Sequence, residues 1–122
     1  MKYIALDTET GGTTPECSLL SVYLQVLDDK LQPLGELDLF IKPNDDLYKC
    51  TAEALGVNHI NLIEHDKIAV TEGKASQMLY AFLQEHNPKG VDKLIPIGHN
   101  VAFDIKRVQR DLMKSWDTFV SY

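Results

Sequence analysis
The chain has 122 residues, with 12 Lys+Arg against 18 Asp+Glu and a formal charge of −6. With 44% hydrophobic and 25% charged residues, its composition is that of one folded domain rather than a disordered segment. The acidity excludes a protein that coats nucleic acid through a broad basic surface. It leaves open a site where carboxylates belong to bound cations that reverse the local sign.

No stretch approaches the roughly 20 apolar residues of a bilayer span, and Asp7 arrives before a signal-peptide core could form. Cys17 and Cys50 are too few and too far apart for a disulfide scaffold or a zinc site. A single cytoplasmic domain without a membrane partner is expected.

Lys2 to Thr8 reads as a short strand closed by Gly11-Gly12, and Ser18 to Leu27 as a second strand rich in Leu, Val and Tyr. After the Asp28-Asp29-Lys30 turn, alternating Leu37, Leu39 and Ile41 place a third strand over Leu34 to Ile41. Pro43-Asn44-Asp45-Asp46 breaks the pattern, and Thr51 caps a short helix, Ala52 to Leu55, which Gly56 ends.

From Gly73 to His86, Ala75, Met78, Leu79, Phe82 and Leu83 make one apolar helical stripe. Leu94 to Ile97 is an apolar strand in which Pro96 signals an irregularity or an edge. Asn100 stands where an N-cap would open a helix from Val101 to Lys114. Three strands in an antiparallel meander, then helices, a strand and a helix, make a mixed α/β or α+β domain.

Chemistry first shows at Asp7-Thr8-Glu9-Thr10. Residues two apart on a strand share a face, so both carboxylates project together. Spacing alone carries little: Asp7/Glu9, Glu36/Asp38 and Glu64/Asp66 are about as many acid-x-acid pairs as eighteen randomly placed acids would give. Context separates them, because only Asp7/Glu9 ends a strand whose preceding residues, Tyr3-Ile4-Ala5-Leu6, are all uncharged. Two acids there cost several kcal/mol unless compensated, and hard oxygen ligands suit Mg²⁺ or Mn²⁺.

A second constellation, Gly98-His99-Asn100-Val101-Ala102-Phe103-Asp104, follows the later apolar strand and opens a helix, the kind of junction where α/β folds gather their sites. Asp104 lies about one turn in, able to turn back toward Asp7 and Glu9. Lys106, Arg110 and Lys114, with Arg107 beside them, form a basic stripe that reads as a solvated helix face or as a contact for a phosphate backbone. His59 and His65 read as surface or loop residues, Met78 and Phe82 as core, and Trp116 as an aromatic covering the core.

Ile4-Ala5-Leu6-Asp7-Thr8-Glu9-Thr10-Gly11-Gly12 resembles the first exonuclease motif of the DEDD superfamily, and Ile97-Gly98-His99-Asn100-Val101-Ala102-Phe103-Asp104 is similar to the second motif of its DEDDh branch. The nearest look is to the proofreading exonuclease subunit of bacterial replicative DNA polymerases. Asn58-His59-Ile60-Asn61 lies between, like that family's His-Gly-Ile-Thr.

The resemblance implies an α/β, ribonuclease-H-like mixed sheet flanked by helices, with strands one to three antiparallel and the fourth parallel to the first. It also implies 3′→5′ removal of nucleotides by two-metal hydrolysis with Mg²⁺ or Mn²⁺. Asp7, Glu9 and Asp104 would be the catalytic metal ligands, and Thr8, Thr10, Gly11, His99, Asn100 and Phe103 would meet the substrate. The partners implied are a single-stranded or 3′-ended nucleic acid and a polymerase or repair protein.

The third motif, a His base and then an Asp ligand after four residues, is missing. Only His99/Asp104 fits the spacing, and that pair already belongs to the second motif. The chain therefore reads as a C-terminally incomplete domain over residues 1–122, lacking the last strand and closing helices. Its Leu94–Ile97 strand would offer an unpaired edge through which a homodimer could form. Thr13 stands near the place where the family has a bulky apolar residue. Two rival readings are a non-catalytic nucleic-acid- or protein-binding module of the same fold and an oligoribonuclease-like enzyme. The latter is disfavoured because the second motif reads Gly98-His99-Asn100 rather than Gly-Asn-Ser.

Overall fold
The apolar alternation of the first 42 residues becomes a meander in the computed structural model, which describes residues 1–121. Strands β1 (Tyr3–Thr10), β2 (Leu19–Leu27) and β3 (Pro33–Lys42) pair antiparallel in sequence order. A short strand β5 (Ile95–Ile97) lies parallel to β1, Tyr3 opposite Ile95 and Ala5 opposite Ile97. This is the predicted fourth strand, and the fold is the expected ribonuclease-H-like mixed sheet.

The structure adds a two-residue strand the sequence did not announce, β4 (Val70–Thr71), parallel to β3. The sheet order is β4-β3-β2-β1-β5, which leaves β1, the strand of the acids, between two partners.

One face of the sheet is dry. Ile4 and Leu6, Val22, Leu24 and Val26, and Leu39 and Ile41 pack there with helices α3 (Glu72–His86) and α4 (Val101–Asp111). The predicted stripe holds: Ala75, Leu79, Phe82 and Leu83 are buried, with Met78 packed alongside. Asp7 and Glu9 take the opposite face with Tyr23 and Ser21, and neither is buried.

Four expectations need correction. Helix α1 (Ala52–Asn58) runs through Gly56, and its left-handed terminus is His59 at φ 58°. The extra turn is held by the Ile60 N–H on the Leu55 carbonyl (3.2 Å) and by Asn58, described below. A second short helix, α2 (Leu62–Ile68), escaped prediction because its seven residues bury only His65 and so show no apolar stripe. His65 is not a surface residue: it is buried, its Nε2 lies 2.8 Å from the Ile41 carbonyl, and Phe40 and Tyr48 meet its ring edge-on. Helix α4 stops at Asp111 rather than Lys114, and the chain then turns into a 3₁₀ segment, Trp116–Thr118.

The last segment belongs to the core. Trp116 and Val120 are fully buried, and Phe119 is buried beside them. Leu94 donates to the Phe119 carbonyl (2.9 Å) and accepts from the Ser121 N–H (2.8 Å), a parallel bridge to Val120. In this register Ile95 and Ile97 turn their amides to β1, so the outward residues of β5 are Leu94, already bonded, and Pro96, which has no N–H. The expected unpaired edge is therefore blunted by pairing at one end and by proline in the middle.

Candidate functional site
Three chain segments meet at the carboxyl end of β1. The first is β1 itself, whose last residues carry Asp7, Thr8, Glu9 and Thr10. The second is the β5–α4 junction. Gly98 packs so tightly against β1 that an added Cβ would sit 2.7 Å from the Leu6 carbonyl, so only glycine lets the junction lie this close. The third is the end of α1, where the Asn58 amide donates to the Thr10 carbonyl (3.0 Å).

The junction brings Asp104 to Thr8, between Asp7 and Glu9 on β1. Its carboxylate is 4% exposed and accepts a 2.5 Å hydrogen bond from the Thr8 hydroxyl. Burial raises the Asp104 pKa above the usual carboxylate range; Thr8 lowers it in part, Asp7 raises it, and His99 lowers it. Burial likewise raises the Glu9 pKa, followed by the negative charges of Asp7 and then Asp104. Glu9 thus feels both Asp7 and Asp104, and Asp104 feels Asp7. Among the described residues, however, no three His, Cys, Asp or Glu side chains converge closely enough to form a metal cage. Asp104 faces Thr8 instead.

Of the three acids, Glu9 borders an open cleft of about 650 Å³. Thr8, Glu9 and Thr10 form one wall, Ala54, Val57 and Asn58 another, and Asn100 and Phe103 a third. Val57 is 71% exposed, an apolar side chain left at the mouth of a polar cleft.

The predicted substrate residues divide. Thr8, Thr10, Asn100 and Phe103 line the cleft. Gly11 does not: its N–H bonds to the Ser18 carbonyl (2.8 Å) and its carbonyl to the Thr51 N–H (2.7 Å), so its backbone is spent on tying the loop to α1. His99 is exposed beside Asp104, outside the cleft wall. Asn100 stands at the helix start, but in a left-handed conformation (φ 39°, ψ 44°) with no side-chain cap, so its amide remains free for the cleft.

Sequence reasoning missed three contributors. Asn58 gave no signal beyond its place in the motif-like segment, and Val57 none. Arg107, read as part of a basic face, is buried and donates to the Cys17 carbonyl (2.7 Å) and to Asp111 (2.9 Å). It holds the loop after β1 against α4. Lys114 lies beyond the helix, in a separate hollow with Ser76, Gln77 and Tyr80.

No family model matches this chain, and no curated protein does. Solved structures do match, and they define the class as the ribonuclease-H-like fold of exonucleases. Exonuclease I of E. coli in complex with a dT13 oligonucleotide superposes with a TM-score of 0.73 at 20% identity, covering 94% of this chain and 24% of that one. Exonuclease I of Methylocaldum szegediense gives 0.74 at 22% identity, over 91% and 23%. The zinc-bound E. coli Exonuclease I–ssDNA complex gives 0.74 at 20%, over 94% and 24%. The likeness is one of fold, spans about a quarter of those chains, and does not single out the proofreading subunit that the motifs resemble.

Proposed function
We propose that this chain is a metal-dependent 3′→5′ exonuclease, acting on single-stranded or 3′-ended nucleic acid. The observation that carries the reading is Glu9 in the wall of an open cleft at the end of a central strand, with Asp7 and Asp104 near enough for their negative charges to raise its pKa. An all-oxygen donor set of carboxylates is the kind that suits Mg²⁺ or Mn²⁺. Two such ions, held by Asp7, Glu9 and Asp104, would supply a more acidic water and neutralise charge at the scissile phosphate.

The chain's own residues do the rest. Thr8 fixes the orientation of Asp104. Asn58 and Gly98 hold α1 and the β5–α4 junction against β1, and Val57 and Phe103 offer apolar surface to a terminal base. The proofreading-type relationship and a polymerase or repair partner in the cytoplasm rest on the two motifs alone.

A second reading, a binding module without hydrolysis, is favoured by one fact. His99 acts on Asp104, and none of the four histidines is followed after four residues by an unused Asp. Absence of a general base costs roughly 10²–10⁴ in rate.

Digestion of 5′-labelled single-stranded DNA and RNA with Mg²⁺ or Mn²⁺ separates the two. The enzyme reading expects slow shortening from the 3′ end that disappears in Asp7→Ala. Metal binding without shortening supports the module, and loss of both removes the site assignment.

A further inference from the structure
The groove does not stop at the cleft. Thr13, Thr14 and Phe103, which border it, also line a second hollow of about 290 Å³, whose remaining walls include Pro15, Lys106 and Arg110. Phe103, Lys106 and Arg110 fall three to seven residues apart on α4 and so share one helix face. In a chain of net charge −6, this hollow has no carboxylate in its wall.

Its cations are not equally available. Arg107 is buried and committed to Cys17 and Asp111. Arg110 leans on Asp111 through Nε (2.7 Å) and Nη2 (3.2 Å), leaving Nη1 without a hydrogen bond among the described residues. Lys106 is exposed and makes no ion pair among them. Asp111, Glu72 and Glu16 act on Arg110 from outside the wall, so the unpaired positive charge in the hollow is that of Lys106, above an apolar floor of Pro15 and Phe103.

We infer that this hollow is a second-nucleotide subsite. Phe103, standing between the two hollows, and Pro15 take the face of the second base on the side away from the cleft, and Lys106, assisted by Arg110, takes a backbone phosphate of a single strand whose end lies in the Thr10–Asn58 cleft. A base stacked on an aromatic ring and a phosphate on a free ammonium are the two contacts by which grooves hold single strands. The inference rests on the cleft being the end-binding site, and it adds the direction in which the strand leaves: along α4, away from β5.

The test is fluorescence anisotropy with a nuclease-resistant phosphorothioate dT8 and competition by thymidine monophosphate, in Mg²⁺ over a range of salt. Lys106→Ala is expected to weaken dT8 about three- to tenfold and to flatten the log–log salt slope by about 1. Thymidine monophosphate competition should stay unchanged, and Lys106→Arg should restore dT8 binding. An alanine variant that binds dT8 like wild type, with an unchanged slope, overturns the inference. So does a wild type that holds thymidine monophosphate but gains nothing from the longer strand, an outcome that leaves the cleft reading standing. A wild type that binds neither ligand overturns both.

Discussion

Thr8 and Asp104 show how much one hydroxyl contributes at this site. Thr8→Val removes the donor that satisfies a nearly buried carboxylate and is expected to cost about 1–3 kcal/mol in urea unfolding. The pH dependence runs the other way from an ordinary salt-bridged acid. Glu9 and Asp104 have raised pKa values, so the folded state binds protons more tightly than the unfolded one. Their ionised forms oppose folding above the folded pKa, and the cost fades as pH falls through it. Asp104→Asn keeps an oxygen for Thr8 and drops the charge. Calorimetry should show a higher melting temperature than wild type near neutral pH, with the gain shrinking as the solution is acidified toward about pH 4. At this scale the sequence revealed the acids, because a charged pair closing an uncharged strand stands out. It hid Asn58, Arg107 and His65, whose roles depend on which carbonyl the fold brings opposite them.

Among the elements, the β5–α4 junction is the most sensitive. Gly98→Ala must move either the junction or the Leu6 carbonyl, and the expected cost is about 1–3 kcal/mol, read as a lower denaturant midpoint. The 3₁₀ turn at the end matters through Trp116. Trp116→Ala removes the largest fully buried side chain and is expected to cost about 3–5 kcal/mol, enough to unfold a marginal domain. The long elements were legible: alternation placed β1 to β3, and the i, i+3, i+4 stripe placed α3. The short ones were not. Two residues of β4 and seven of α2 carry no readable period, and the Gly56 stop signal was overridden where Asn58 and Ile60 gain hydrogen bonds from one more turn.

For the whole molecule, the sheet has one face packed against α3 and α4 and one carrying Asp7, Glu9, Tyr23 and Asp38 in the open. No helix among the described residues is long and apolar enough to cross a membrane. Edge pairing through β5 is opposed by Pro96. Pro96→Val supplies an outward N–H and is expected to increase self-association in sedimentation velocity, whereas wild type should associate less at equal concentration. The acidic chain thus carries, beside its Glu9 cleft, a hollow lined by Lys106, Arg107 and Arg110 with no acid in its wall.

The central claim is that Asp7, Glu9 and Asp104 together bind divalent cations, and Mn²⁺ titration followed by electron paramagnetic resonance tests it most directly. The account predicts saturable uptake of two Mn²⁺ per wild-type chain, displaced by Mg²⁺ and lost in a folded Asp7→Asn variant. Equal uptake by wild type and Asp7→Asn, or none by either, would contradict it.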